Sequence, residues 1–413
     1  MIHALAVSAL LSSQVFLPSD PDLLETGLTT WLSEAGFLFP QRQLLDGEPA
    51  IVGGGAAPAP WGSFDSVRIL GPLESGIWAG PGWAADYHEC DVPDSSFRSE
   101  VGLMENTMRR NRYSGTLLRP LPGSLRLAAT LAREDTSTRQ SLRLESGPFD
   151  LSARFWQGPF DGGSSWIRYR GRLLAARAGL AEPSAGRHLA EGLVSLRIPL
   201  GRVLVQTAAA ASGADSLSAA EGHALFRCPA GRFLLTCRAD VLAEGSSDPE
   251  AGWAAGASAT LWGVLVSAGG AALPGERPSA IATAALGEAG LELVLSGRDF
   301  GAGIHASGPL GLAGSAAFTR DSLRLAGLLL PEIRFGGNGI VRAGPRASWT
   351  ARRDSGDSLR VDLLGTLSIK SFSLVLAAED ISRDYSRRYS YGIVWSFDDT
   401  QSRQAPAGRG GGQ

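Results

Sequence analysis

The sequence predicts an all-β fold, a transmembrane antiparallel β-barrel of about 22 strands within a range of roughly 16–22. Three observations lead there. From Phe97 onward, apolar residues recur at every second position in segments of about eight to eleven residues, the length a tilted strand needs to cross a bilayer. The breaks between these segments alternate in kind, tight Gly/Pro turns taking turns with longer polar stretches. The last segment sets Tyr389, Tyr391, Ile393, Trp395 and Phe397 on one face and Ser390, Gly392, Val394 and Ser396 on the other.

Composition agrees with one large closed sheet. The 413 residues include 53 Gly, only 19% are charged, and no run of eighteen apolar residues is present that would make a spanning helix. A chain of this kind crosses a bilayer only as a barrel, because lipid offers no partner for unpaired backbone groups. The net charge of -3 supplies no basic field for nucleic acid. The three Cys are an odd number, and Cys228 and Cys237 are not symmetric about the turn between them, so no disulfide framework is readable.

Taken in order, residues 1–17 read as a signal peptide: a short apolar stretch from Ala4 to Leu11, then the polar break Ser12-Ser13-Gln14 and Pro18. The n-region carries only His3, and a buried first helix or strand is the alternative. Residues 18–95 have a different texture. An amphipathic helix is expected from Asp22 to Ala35, capped by Asp20 or Asp22 and ended by Gly36. Next comes a strand entering a tight turn at Asp46-Gly47, a second strand from Phe64 to Leu70, and a compact loop through Trp78.

Residues 96–397 carry the barrel. Its clearest strand opposes Leu359, Val361, Leu363, Gly365 and Leu367 to Arg360, Asp362, Leu364 and Thr366. The pattern recurs in Leu125 to Leu131, Phe149 to Phe155, Phe233 to Val241 and Leu291 to Leu295. Leu323 to Ala347 is its least regular stretch, interrupted by Pro331, Gly336-Gly337 and Gly344-Pro345. Tight turns at one rim and longer loops at the other give roughly eleven hairpins. A soluble sandwich or solenoid is the alternative, but the face opposite the apolar stripe carries Arg, Asp and Glu and needs the water of a wide lumen. Residues 398–413, ending Gly408-Arg409-Gly410-Gly411-Gly412, are expected to be a disordered tail.

The parity of the strands assigns Arg126, Arg143, Arg154, Arg168, Arg170, Arg197, Arg238 and Arg360 to the lumen, as a positive interior that favours anionic solutes or docks carboxylates such as Asp46 and Glu74. The plainer reading makes them solvated wall residues paired with neighbouring Asp and Glu, and it treats Asp362 as a residue whose neutralisation leaves folding nearly unchanged. Trp156, Trp166, Tyr169, Trp253, Trp262, Trp349, Trp395 and Phe397 form interfacial girdles where they point outward, with Trp156 and Trp262 facing the lumen by the same parity.

Two resemblances follow. The order Ser390, Gly392, Trp395, Phe397 resembles the C-terminal signal of bacterial outer-membrane barrels, which implies that membrane as the location and its lipid and barrel assembly machinery as partners. In the N-terminal segment, Asp46, Gly47 and Pro49, then Gly71-Pro72, Ser75, Trp78 and Gly80, resemble the plug motif of TonB-dependent outer-membrane receptors, in the family's order and immediately before the barrel. That resemblance implies a small N-terminal plug-like domain folded in the lumen, passage or uptake of a small solute, and TonB as a partner. The segment looks shorter than a full plug, no TonB-contacting box is identifiable before Leu23, and Trp78 stands where the family often has Tyr. The rival functions are a non-transporting structural or interaction barrel, such as a surface scaffold or secretion subunit, and a plugless porin-like channel.

No catalytic chemistry is legible. The five His show no metal spacing and read as loop or rim residues, and His88 with Cys90 falls short of a closed metal site. No serine has the context of a nucleophile elbow, and the glycines at 53, 54 and 55 lack the Lys of a phosphate loop. Neither a cofactor nor an enzymatic activity is expected.

Overall fold

Alternation along the chain becomes a closed wall because each segment pairs with the next and the last returns to the first. In the computed structural model, antiparallel strands run from Arg98–Asn106 to Arg388–Asp398, and these two pair with each other to close the barrel, Ile393 opposite Leu103 and Phe397 opposite Ser99. The structure describes residues 14–16, 42–49, 64–70, 73, 76–79, 84–89, 91–93, 96–106, 111–134, 137–157, 161–182, 189–214, 218–244, 248–272, 278–286, 289–296, 299–306, 312–318, 322–336, 339–352, 356–383 and 387–398. The expected signal segment before Gln14, the helix from Asp22 to Ala35 and the tail beyond Asp398 lie outside the described residues. No described helix is long and apolar enough to cross a membrane.

Twenty-three strand segments make up the wall, but two are halves of one stave. Ser322–Leu329 and Glu332–Phe335 both pair with Gly339–Arg352, and the break between them falls at Pro331. Proline cannot donate to the ladder, so the stave is interrupted there without losing its place. The barrel therefore has 22 staves, within the expected range. Opposite the break, Gly344 faces the Leu329 backbone so closely that a Cβ would overlap its carbonyl oxygen. Gly344→Ala is expected to destabilise the barrel by roughly 1–3 kcal/mol, since backbone must move to admit the methyl. Gly222→Ala, with nothing within 4 Å, is the matched control. Equal urea midpoints for the two variants would show that the break tolerates a side chain.

The tight rim is built by two-residue turns that need left-handed backbone. Gly201 (φ 62°) and Gly231 (φ 61°) each open a turn in which the flanking residues pair directly, Leu200 with Val203 and Ala230 with Phe233. Strand parity then sorts the side chains. On the last strand, Tyr389, Tyr391, Ile393, Trp395 and Phe397 are exposed on the outer face, while Ser390 and Gly392 are buried on the inner. Leu359 and Leu363 are likewise exposed, and Asp362, Leu364 and Thr366 buried. Cys228 and Cys237 sit diagonally on neighbouring strands as free thiols.

Inside the wall lies a second sheet. Its five strands are ordered Gln14–Phe16, Phe64–Leu70, Ala84–Glu89, Arg42–Leu45 and Glu48–Pro49, with only the pair Arg42–Leu45 and Ala84–Glu89 parallel. Gln14–Phe16, within the span assigned to the signal peptide, pairs with Val67–Ile69 as an edge strand. A 3-10 turn at Ile77–Ala79 carries Ile77 and Trp78 into contact with Leu44 and Ala84 of this sheet and with Leu193, Ala208, Ala210 and Leu225 of the inner wall. Leu73 docks separately against Ala254, Ala271 and Ile281, and Val92 against Leu118. Inward-facing wall residues are thus buried by an occupant, while outward-facing apolar residues remain uncovered.

Candidate functional site

Five adjacent wall strands, Ser137–Ser146, Phe149–Gln157, Gly162–Arg170, Leu174–Glu182 and Leu189–Leu200, turn a patch of guanidinium groups into the lumen. Register places them side by side: Arg168 is opposite both Asp150 and Arg177, and Ser152 is opposite both Arg143 and Trp166. Facing them, the inner sheet presents its carboxylates on two neighbouring strand ends. Asp46 and Gly47, with φ of 50° and 81°, form the hairpin turn that the Asp-Gly dipeptide predicts, and Glu48 follows. Glu89 ends the strand alongside.

Hydrogen bonds within the inner sheet itself hold this turn. The Gly47 amide donates to Asp86 Oδ1 at 2.7 Å, the Asp46 amide to the Tyr87 carbonyl at 2.9 Å, and the Glu89 amide to Asp46 Oδ1 at 3.0 Å. Asp46 then offers its second oxygen to the wall, accepting from Arg170 at 3.0 Å and lying 3.5 Å from Arg168. Glu48 lies 3.6 Å from Arg168 and 3.9 Å from Arg177. Glu89 is gripped by two cations: Arg143 donates to Oε2 at 2.6 Å and Arg154 to Oε1. The wall completes the network with its own acids, Asp150 on Arg168 at 2.7 Å and Glu191 on Arg177 at 3.0 Å. Arg154 and Arg177 both lie over the ring of Trp166, 5.3 and 5.2 Å from its centroid.

The carboxyls of the inner sheet respond differently. Burial raises Glu89, but the charges of Arg154, Arg143 and Arg168 outweigh it and hold the group below the ordinary Glu value. Burial lifts Asp46 above its ordinary value, and the neighbouring Glu89 charge adds to that. Glu48 is raised for the same first reason. Burial pushes the Tyr87 phenol up to about 12. Glu89 is accordingly the anchoring anion, with Asp46 and Glu48 as weaker partners.

A second contact lies further round the wall. His223, expected at a loop or rim, is a buried wall residue with Nε2 3.0 Å from Glu221 and Nδ1 against Asp240. The reason is parity: it shares the inner face with Glu221 and Leu225, and Trp78 lies edge-on to its ring at 5.3 Å. Arg238 donates to the Gly76 carbonyl, tying the same loop down.

Of the arginines assigned to the lumen, Arg143, Arg154, Arg168, Arg170 and Arg238 meet the inner sheet or its loop. Arg126 instead pairs with Glu145 at 3.3 Å, Arg360 with Asp362 at 3.2 Å, and Arg197 is exposed near the tight-turn rim. Glu74, Gly71, Pro72, Ser75, Gly80 and Cys90 fall outside the described residues. Three further expectations need correction. Trp166 is buried on the inner face beside the arginines, and Trp262, expected inside, sits fully exposed on a turn. Asp362 is no solvated wall residue, since Arg346 donates to it at 2.6 Å and the Asp380 amide also at 2.6 Å. Sequence reading missed Arg177, Glu89 and Glu191. Arg177 had a readable signal, its odd spacing from the outward Leu174 and Leu180, masked by the alanines around it. Among the described residues no group of three or more His, Cys, Asp or Glu is placed to hold a metal.

A closed antiparallel barrel, apolar outside and filled by a separate ion-paired sheet, defines a membrane barrel of the bacterial outer-membrane type with an occupied lumen. The chain has the fold of the TonB-dependent outer-membrane receptors. It is similar to the siderophore receptor PirA from Pseudomonas aeruginosa, with a TM-score of 0.59 at 11% identity over 93% of this chain and 99% of that one. The alcaligin outer-membrane receptor FauA from Bordetella pertussis matches at 0.59 and 12% identity over 94% and 95%, and the copper transporter OprC at 0.61 and 10% over 86% and 90%. No family model and no curated protein matches the sequence.

Proposed function

We propose that the chain is an outer-membrane uptake receptor whose inner sheet, with its strands between Gln14 and Glu89, is a reduced plug of roughly the expected span 18–95, one that occludes the barrel and yields to let a small solute pass. The observation that carries this reading is the seam between sheet and wall. Ion pairs such as Glu89 with Arg143 and Arg154 hold the occupant against the wall by noncovalent contact, beyond the chain segment that joins the two. Buried pairs of this kind specify one docked position while adding modest net stability, which suits an element that must be displaced. Structural neighbours named for siderophores and copper support uptake of a small solute. A plugless porin-like channel fits less well, because the lumen holds the sheet. TonB remains the family's implied partner.

Deleting residues 18–89 is expected to leave a folded barrel with raised single-channel conductance in planar bilayers, because the wall closes its own hydrogen bonds without the occupant. Unchanged conductance would mean that the sheet does not occlude the lumen, and favour a non-transporting barrel. Failure to assemble would make the segment part of the wall.

A further inference from the structure

Three consecutive tight turns carry the same short sequence at intervals of thirty residues: Gly171-Arg172-Leu173-Leu174, Gly201-Arg202-Val203-Leu204 and Gly231-Arg232-Phe233-Leu234. The hairpins are neighbours in the wall, so the three arginines stand along one arc of the tight-turn rim, with about 10 Å of sheet per hairpin. All three are exposed. Beside them the outward apolar belt reaches the rim, with Leu173, Leu200 and Phe233 exposed and Trp262 on the next turn 100% exposed. Residues 171–181, 192–214, 222–239 and 251–275 contain no Asp or Glu, so nothing in this arc neutralises the guanidinium groups. At the opposite rim charges of both signs mix, with Asp161, Glu182, Asp248, Glu250, Asp357 and Asp380 at the strand ends beside Arg133, Arg352 and Arg387.

We propose that this arc is a binding site for anionic phospholipid headgroups of the leaflet at the tight-turn rim. A guanidinium at the edge of a lipid-facing apolar belt lies at the depth of the headgroup phosphates, and its planar fork matches their oxygens. Leu173 and Phe233, which follow Arg172 and Arg232, and Leu200 beside the turn of Arg202 bury against the acyl chains, and the exposed Trp262 is placed as an interfacial anchor. Three uncompensated cations favour a headgroup of net negative charge over a zwitterionic one. The attraction is about fivefold in affinity per Arg near an anionic surface. The inference rests on the membrane-spanning reading of the barrel but not on the role of the inner sheet, so it survives a failure of the conductance experiment.

Detergent-solubilised full-length protein, titrated with phosphatidylglycerol or phosphatidylcholine and read by native mass spectrometry, tests the site. The unmodified chain is expected to retain phosphatidylglycerol at least about tenfold more strongly than phosphatidylcholine. R172Q/R202Q/R232Q is expected to lose that preference, R172K/R202K/R232K to keep most of it, and R133Q/R352Q, which removes two exposed arginines at the other rim, to leave it unchanged. Heat-modifiable gel mobility confirms that each variant is folded, and the single Gln variants, each about fivefold weaker, replace the triple variant if it is not. Equal retention of the two lipids by the unmodified chain, or an undiminished preference in the folded Gln variants, overturns the proposal.

Discussion

Replacing Glu89 by Gln is expected to weaken docking of the inner sheet by about 3–5 kcal/mol, the largest effect of any single change at the seam. The carboxylate is shared between Arg143 and Arg154, whose side chains are both almost fully buried. Gln keeps an acceptor oxygen but carries no charge and turns a donor amide toward one of the two cations, so the buried Arg154 loses its carboxylate while Arg143 keeps Glu145 at 3.0 Å. Hydrogen exchange of Ala84–Glu89 in the intact protein reads the outcome as a loss of protection confined to the inner sheet, with the wall strands unchanged. Protection equal to that of the unmodified chain would mean that Leu44, Trp78 and Leu73 hold the sheet by apolar contact alone. The pH dependence has a definite sign. Glu89 is depressed, so its contribution is present above the ordinary Glu value of 4.5 and lost as pH falls through its lower folded value. Asp46 and Glu48 are raised above 3.8 and 4.5, so their share favours the docked state at low pH and is lost as pH rises through their folded values. Mild acid is therefore expected to tighten the seam, and only stronger acid to open it.

The second large effect falls on two adjacent residues of the strand Gly356–Ile369 for opposite reasons. Leu363 is 48% exposed on the outer face at mid-strand, and Leu363→Arg is expected to cost roughly 2–4 kcal/mol by placing a charge in hydrocarbon. Asp362 is 1% exposed on the inner face, bonded to Arg346, Arg360 and the Asp380 amide. Asp362→Asn removes the carboxylate charge that the buried Arg346 faces and is expected to cost a comparable 3–5 kcal/mol, roughly. Urea unfolding in lipid vesicles measures both. Leu363→Ala is a mild change in the same assay, and R346M alongside D362N recovers much of the loss if the ion pair is the cause. A silent Asp362→Asn would show that water reaches this part of the lumen.

How far the sequence carried the reading can be judged from these same residues. That Leu363 faces out and Asp362 in, that Tyr389, Tyr391 and Trp395 form an outer stripe, and that Asp46-Gly47 makes a tight turn were all determined locally. Period-two alternation fixes the face of every residue on a strand, and a left-handed dipeptide fixes its turn, whatever the rest of the chain does. The count of staves followed from the same pattern, even across Pro331, because a proline breaks the ladder of one strand without changing the parity of its neighbours.

Only the tertiary structure decided what each inward side chain meets. Arg143 and Arg154 found Glu89, more than fifty residues away in sequence, whereas Arg126 and Arg360, alike in pattern, found partners on their own wall. His223 became a buried contact for Trp78 rather than a rim residue. Alternation says that a group points into the lumen, but the curvature of a closed sheet and the docking of a separate one determine which groups converge there. Those are properties of register and packing between distant segments, and no local period encodes them.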